Sequence, residues 1–349
     1  MTIFQYKIAI YLHNIIGMND IIISRFGNTL PICAQVIVEL LGGTVVKLSK
    51  TILPSQPYFL LFVSVLSVSI SSILIKLSDT PTSVAGMYRL LFSAIIMFAF
   101  VPWRITIRTF LHMQIKDWGI VGIAGLFLGI HFLFWMESLV YTSVASSMVI
   151  LSLQPLFVMI GSSYFFKEKT NWLSIICLFG ALVGTICIAW GDIGVSNKAL
   201  IGDSLSFVGT LFVSAYFLVG QKVSYKIEAN VYSIIVFLIG GFVMLIYSLI
   251  NKNSLVEYDS SDWIYFMLLA IIPTIFGQYI FNRLLRSIGA TSVSVGIIGE
   301  PVIATMLAYF LLGETISVLQ YIGGVVTLIG MGMYFWSKTV MGRQNVGNY

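Results

Sequence analysis

The sequence predicts an all-α integral membrane protein, with ten transmembrane helices in two inverted-topology five-helix repeats around a central cavity. Three observations lead there: scarce charge, ten long apolar runs, and an internal repeat. Only 9% of the 349 residues are charged and 58% are hydrophobic, whereas soluble chains carry about 25% charged residues. So little charge cannot cover a water-facing surface, and a mean hydropathy of +0.97 agrees, so soluble enzyme classes are excluded. An outer-membrane barrel would show short alternating segments. These runs are unbroken and reach the roughly 20 residues that a spanning helix needs.

In chain order the runs fall at about 57–77, 82–102, 118–139, 143–165 and 171–191, then 203–222, 231–251, 263–283, 290–312 and 317–337. In the first, Ser64, Ser67 and Ser71 recur on one helical face, a close-packing surface of small residues. The stretch holding Gly323, Gly324 and Gly330 reads the same way. Connectors after even-numbered spans carry Arg104, Arg108 and Lys116, then Lys167 and Lys169, Lys222 and Lys226, and Arg283 and Arg286, with Lys338 and Arg343 in the tail. Opposite connectors hold only Lys76, Lys198 and Lys252, beside acidic residues such as Glu257, Asp259 and Asp262. Lys and Arg mark the cytoplasmic side. The alternation therefore predicts an inner (cytoplasmic) membrane protein with both termini cytoplasmic. Residues 1–55 read as an N-terminal extension lying on the surface or poorly ordered, and 338–349 as a cytoplasmic tail.

Sliding the chain against itself by 146 residues aligns Lys76 with Lys222, Ser78 with Ser224, Ser146 with Ser292, Pro155 with Pro301, Glu168 with Glu314, Leu173 with Leu319 and Gly184 with Gly330. A mid-helix proline followed thirteen residues later by Glu is the most specific shared feature. The halves, 56–191 and 202–337, hold five spans each. Five is odd, so consecutive halves insert in opposite directions, an arrangement common in carriers that alternate access around a mid-membrane site.

The segments SLQPLFVMIGSSYFFKEK and GEPVIATMLAYFLLGE resemble the Pro-containing fourth helix of each repeat in the drug/metabolite transporter superfamily, EamA-type. Arg89 in MYRLLFSAIIM resembles the arginine often seen in the second helix, and the likeness covers 57–337. The KEK ending of the first segment departs from the usual acidic ending, which argues against a functional Glu168. The resemblance implies ten helices in two inverted repeats, a central cavity, and export or uptake of a small metabolite.

Ionisable and polar groups at membrane depth mark candidate sites, because each costs about 2.5–3.5 kcal/mol on insertion scales when ionisable. Glu300 lies near the middle of the ninth span, immediately before Pro301, and Gln154 precedes Pro155 at the matching place. The prolines predict kinks, and Glu300 reads as a substrate-amine or proton site, against the plainer role of steadying its kink. His131 and Trp135 sit four apart on the third span, a donor and an aromatic wall for a cavity. Tyr216 is a further lining candidate, and Gln278 with Asn282 are ligand contacts or interhelical glue. Arg89 and Glu137 lie in neighbouring spans and read as an ion pair, structural or gating.

No GxxxxGK[ST] loop is present, which argues against ATP-driven pumping. Three cysteines (Cys33, Cys177, Cys187) and three histidines form no metal or disulfide spacing, so no metal, cofactor or catalytic set is expected. The basic residues are dispersed over loops, which speaks against nucleic acid. The expectation is a non-enzymatic secondary carrier in the lipid bilayer. Its substrate would be a small polar, amine-containing metabolite: an amino acid, an amino-acid derivative or a nucleoside-like compound such as S-adenosylmethionine. A non-transporting binding or sensory protein, or a lipid-acting membrane enzyme, are the rivals, and oligomeric state is open.

Overall fold

The computed structural model describes residues 56–101, 103–190, 196–312 and 316–346. The extension 1–55, with Cys33, lies outside the described residues, as does Glu314. Among the described residues every regular element is helical. The first repeat comprises α1 (Gln56–Ser69), α2 (Ser71–Leu77), α3 (Thr82–Phe100), α4 (Trp103–His112), α5 (Ile115–Tyr141), α6 (Val144–Leu151), α7 (Gln154–Phe166) and α8 (Trp172–Ala189). The second comprises α9 (Asn197–Ser224), α10 (Ala229–Ile250), α11 (Ser260–Leu269), a π-helical turn (Ala270–Tyr279), α12 (Ile280–Ile297), α13 (Glu300–Leu312) and α14 (Val318–Val346).

These elements make ten helical spans. Nine described helical stretches are long and apolar enough to cross a membrane; the eighth of them, Ser260–Ile297, runs from the eighth span into the first half of the ninth. Gly289 marks the boundary, with a φ of +78° that interrupts helical geometry inside α12, a conformation open to glycine because it has no Cβ. Two elements differ from the sequence reading. The basic connector after the second span is an amphipathic helix, α4, whose Phe110 stacks on Trp118 at 5.6 Å. The last helix continues to Val346, through most of the stretch assigned to a tail.

The two prolines act at breaks rather than at kinks. The fourth span is interrupted at Ser152–Leu153 and the ninth at Ile298–Gly299, so Pro155 and Pro301 each stand second in a new half-helix. A proline is tolerated there because the first-turn N–H has no intrahelical partner. The breaks coincide under the 146-residue offset, and Gln154 and Glu300 each open the half-helix that follows.

Packing interleaves the halves. α5 lies against α9 and α10, and α1 against the π-helical turn. α8 and α14, one from each half, pack together along their length. A Cβ on Gly184 would stand 2.6 Å from the Gly323 carbonyl oxygen, and one on Gly330 2.7 Å from the Ala181 nitrogen. Only glycine allows two backbones so close. Thr327 donates to the Ala181 carbonyl at 3.3 Å and the Ser174 and Ser337 hydroxyls meet at 2.7 Å across this seam.

Candidate functional site

A small cavity of about 30 Å³ lies where the half-helix breaks meet the third and eighth spans. Its polar lining comes from Arg89, His131, Trp135, Gln154, Gln278 and Glu300, and its apolar lining includes Phe132, Phe217 and Phe281. Both repeats contribute.

Arg89 is positioned by an irregularity whose cause is local. Pro273 has no N–H to donate to the Leu269 carbonyl one turn back, and the Thr274 hydroxyl donates to that carbonyl instead, at 2.8 Å. The helix widens into a π-turn there, a feature frequent at functional sites. The Thr274 oxygen then accepts from Arg89 Nε at 2.8 Å. Arg89 Nη1 donates to Ser71 at 2.8 Å, just past the α1–α2 interruption, and the guanidinium lies 4.4 Å from the Phe132 ring centroid.

His131 bonds the Gly209 carbonyl through Nδ1 at 2.9 Å, so that nitrogen carries the proton. Its ring lies nearly parallel to Trp135, with an interplanar angle of 12° and centroids 6.1 Å apart. Among the described residues, four of the seven buried side-chain polar atoms left without a partner belong to this cavity: Trp135 Nε1, Gln154 Nε2, Gln278 Nε2 and Glu300 Oε1. An unsatisfied buried polar atom costs roughly 1–3 kcal/mol, so four around one small space need an explanation.

The structure thus brings together Glu300, Gln154, His131, Trp135 and Gln278. It does not bring Tyr216 and Asn282 into the cavity lining. Tyr216 donates to Asn282 Oδ1 and Asn282 Nδ2 donates to Ser233 at 2.9 Å, a chain joining the sixth, seventh and eighth spans. The expected Arg89–Glu137 pair does not form: Arg89 is bound to hydroxyls on the first and eighth spans, and Glu137 accepts from Thr82 at 3.0 Å. Each side chain is instead held by hydroxyls on other spans. Sequence reasoning placed Ser71 only on a packing face and missed Thr274 and the phenylalanine walls Phe132, Phe217 and Phe281. Pro273 inside an apolar run was the one available signal.

An α-helical membrane bundle of two interleaved repeats, broken in register beside a shared polar cavity, has the architecture of a membrane transporter. The chain belongs to the EamA-like transporter family, which matches residues 56–190 and 200–336, within the drug/metabolite transporter superfamily. It is 22% identical to an uncharacterized transporter of Archaeoglobus fulgidus over 79% of this chain and 96% of that protein. It is 25% identical to a WAT1-related protein of Arabidopsis thaliana over 80% of this chain and 86% of that one. The matches to an uncharacterized transporter of Synechocystis, 23% identical, and to Bacillus subtilis YyaM, 27% identical, cover 56% and 61% of this chain and 58% and 70% of those proteins. One solved crystal structure superposes with a TM-score of 0.66 over 83% of this chain and 98% of its own, at 16% identity, a likeness of fold alone. The protein is a multi-pass membrane protein.

Proposed function

We propose that the chain is a secondary carrier that moves a small polar, amine-bearing metabolite across the cytoplasmic membrane by alternating access. The observation that carries this reading is the group of four unpartnered polar atoms on one cavity shared by both repeats. A bound solute would give those atoms the partners that the protein withholds. Amino acids, their derivatives and nucleoside-like metabolites such as S-adenosylmethionine all present groups for such a set. Glu300 is the contact for the amine or for a coupled proton; Gln154, Gln278, His131 and Trp135 are its companions, and Tyr216 and Asn282 support them from behind.

The cavity has room for one or two waters rather than a metabolite. Substrate entry therefore requires one repeat, 56–191, to rock against the other, 202–337, opening one face at a time. With no phosphate-binding loop in the sequence, a solute or ion gradient is the energy source. The Lys and Arg bias of the connectors supports a cytoplasmic position for both termini.

Solute counterflow in proteoliposomes tests the reading, with labelled amino acids, S-adenosylmethionine, nucleosides and polyamines. Saturable, stereoselective exchange of one class is expected. Binding without movement across the bilayer would make the chain a sensory or binding protein, and chemical turnover of lipid would make it an enzyme.

A further inference from the structure

The connector between the second and third spans holds a ten-residue helix, α4, with two residues separating it from each span. At 1.5 Å per residue it is about 15 Å long, roughly half the thickness of the hydrocarbon core. The chain enters and leaves it on one side of the membrane, so α4 sits at the end of the bundle that carries the basic connectors, packed on α10.

Its residues fall into rows four apart, as helical geometry dictates. Thr106, which is buried, and Phe110, stacked on Trp118 at 5.6 Å, form the row that faces the bundle. Ile107 and Leu111 form the next row and are 41% and 79% exposed, and Ile115, at the start of α5, is 91% exposed. Arg108 and His112 form the third row, both exposed, with Arg104 four residues earlier in the sequence and the exposed Lys116 following Ile115. From Val101 to Lys116 the sequence has no acidic residue. The first to follow, Asp117, pairs with Lys226 at 3.8 Å and caps α5.

An apolar row this exposed is unfavourable in water, and the basic row beside it has no counter-charge on its own segment. A soluble polyanion would meet the basic row and leave the apolar row in water. A zwitterionic lipid surface would cover the apolar row but set an ammonium group beside each phosphate. An anionic lipid surface satisfies both rows, with acyl chains beside the isoleucines and leucine and uncompensated phosphate beside the arginine and lysine.

We propose that α4 is an interfacial helix that binds anionic lipid headgroups on the side of the basic connectors. Ile107, Leu111 and Ile115 insert among the acyl chains, and Arg108 and Lys116 engage the phosphates. The inference rests on the membrane-spanning fold and on no particular solute, so it stands or falls separately from the carrier reading.

Lipid contact and lipid preference are both read on the full chain. With Cys33, Cys177 and Cys187 replaced by Ser, Leu111→Cys carries a nitroxide label in nanodiscs of phosphatidylcholine, with and without phosphatidylglycerol. The label is expected to be more accessible to oxygen, which concentrates in hydrocarbon, than to a water-soluble nickel chelate, and more so with phosphatidylglycerol present. Native mass spectrometry of the wild-type protein, given equal phosphatidylglycerol and phosphatidylethanolamine, is expected to show preferential retention of phosphatidylglycerol. Arg108→Gln with Lys116→Gln is expected to lower that preference about fivefold for each charge removed. Lys198→Gln with Lys252→Gln, on the opposite face, is expected to leave it as in wild type. The label and the wild-type retention test the proposal even if the first double variant does not fold. A label reached by the nickel chelate overturns the proposal, and so does one shielded from both reagents, since protein would then cover the row. Equal retention of the two lipids overturns it as well, as does a preference that falls equally in both double variants or in neither.

Discussion

At the residue scale, the cavity is defined by what its side chains lack. Glu300 opens a half-helix, where the partial positive charge of the helix N-terminus favours a carboxylate, and its Oε1 still has no partner. If Glu300 couples transport to protons, Glu300→Gln keeps the shape and removes the titration. The variant is expected to fold with an unchanged melting temperature and to lose its response to an imposed pH gradient in counterflow. Gradient dependence equal to wild type would remove the proton role and leave Glu300 as an amine contact. Neither Glu300 nor Gln154 needed a structure to be singled out, because a polar residue before a proline in the middle of an apolar run is visible in the sequence. Arg89 was visible too, but its partners were not. Ser71 and Thr274 lie 18 residues before and 185 residues after it, each on a helix other than its own, so no periodicity within one helix reveals the pairing.

At the element scale, irregularity and close approach share the work. The π-turn at Pro273 and the paired breaks before Pro155 and Pro301 set the cavity walls, while the glycine seam between α8 and α14 joins the two repeats away from the cavity. A Cβ at Gly184 would meet the Gly323 carbonyl oxygen and the Thr327 backbone nitrogen, each at 2.6 Å. These are contacts that backbone atoms cannot relieve by rotation. Gly184→Leu is expected to lower stability by about 1–3 kcal/mol, the usual range for overpacking, seen as a lower melting temperature in detergent. Gly324→Ala is the control, since its Cβ would find only Val302 Cγ1 at 3.6 Å, an ordinary contact. Equal melting of the two variants would show that the seam does not hold the halves together. The glycines were legible as a packing surface; which helix they face was not, because periodicity gives a face and no neighbour.

At the scale of the whole molecule, the two ends of the bundle are closed by different polar contacts. On the face with the basic connectors, Gln221 of α9 donates to Glu168 at 2.7 Å and accepts from the Ala290 backbone at 2.6 Å, beside the Gly289 interruption. On the other face, Asp203 of the same helix accepts from Thr142 and Ser146, each at 2.8 Å. Each set ties one repeat to the other. In a background with Cys33, Cys177 and Cys187 replaced by Ser, a cysteine at the cavity position Val213 reports opening to an impermeant thiol reagent. Gln221→Ala is expected to raise labelling severalfold from the basic face, and Asp203→Ala from the opposite face. Labelling that rises equally from both faces in either variant would count against separate closures. Glu168, argued against as functional from its KEK context, holds one of these contacts.

The sequence by itself determined that the chain is a helical membrane protein of the drug/metabolite transporter superfamily, that it has two halves, and where its mid-span polar residues lie. These depend on local quantities: hydropathy summed over about 20 residues, the parity of the span count, and a repeat read at a constant offset. The tertiary structure decided which of those polar residues share a cavity. It drew in Arg89, left Tyr216 and Asn282 bonded to each other, and kept Arg89 and Glu137 apart. A side chain at membrane depth takes whichever partner the packing brings within hydrogen-bond reach, and across two interleaved repeats that partner can be nearly two hundred residues away.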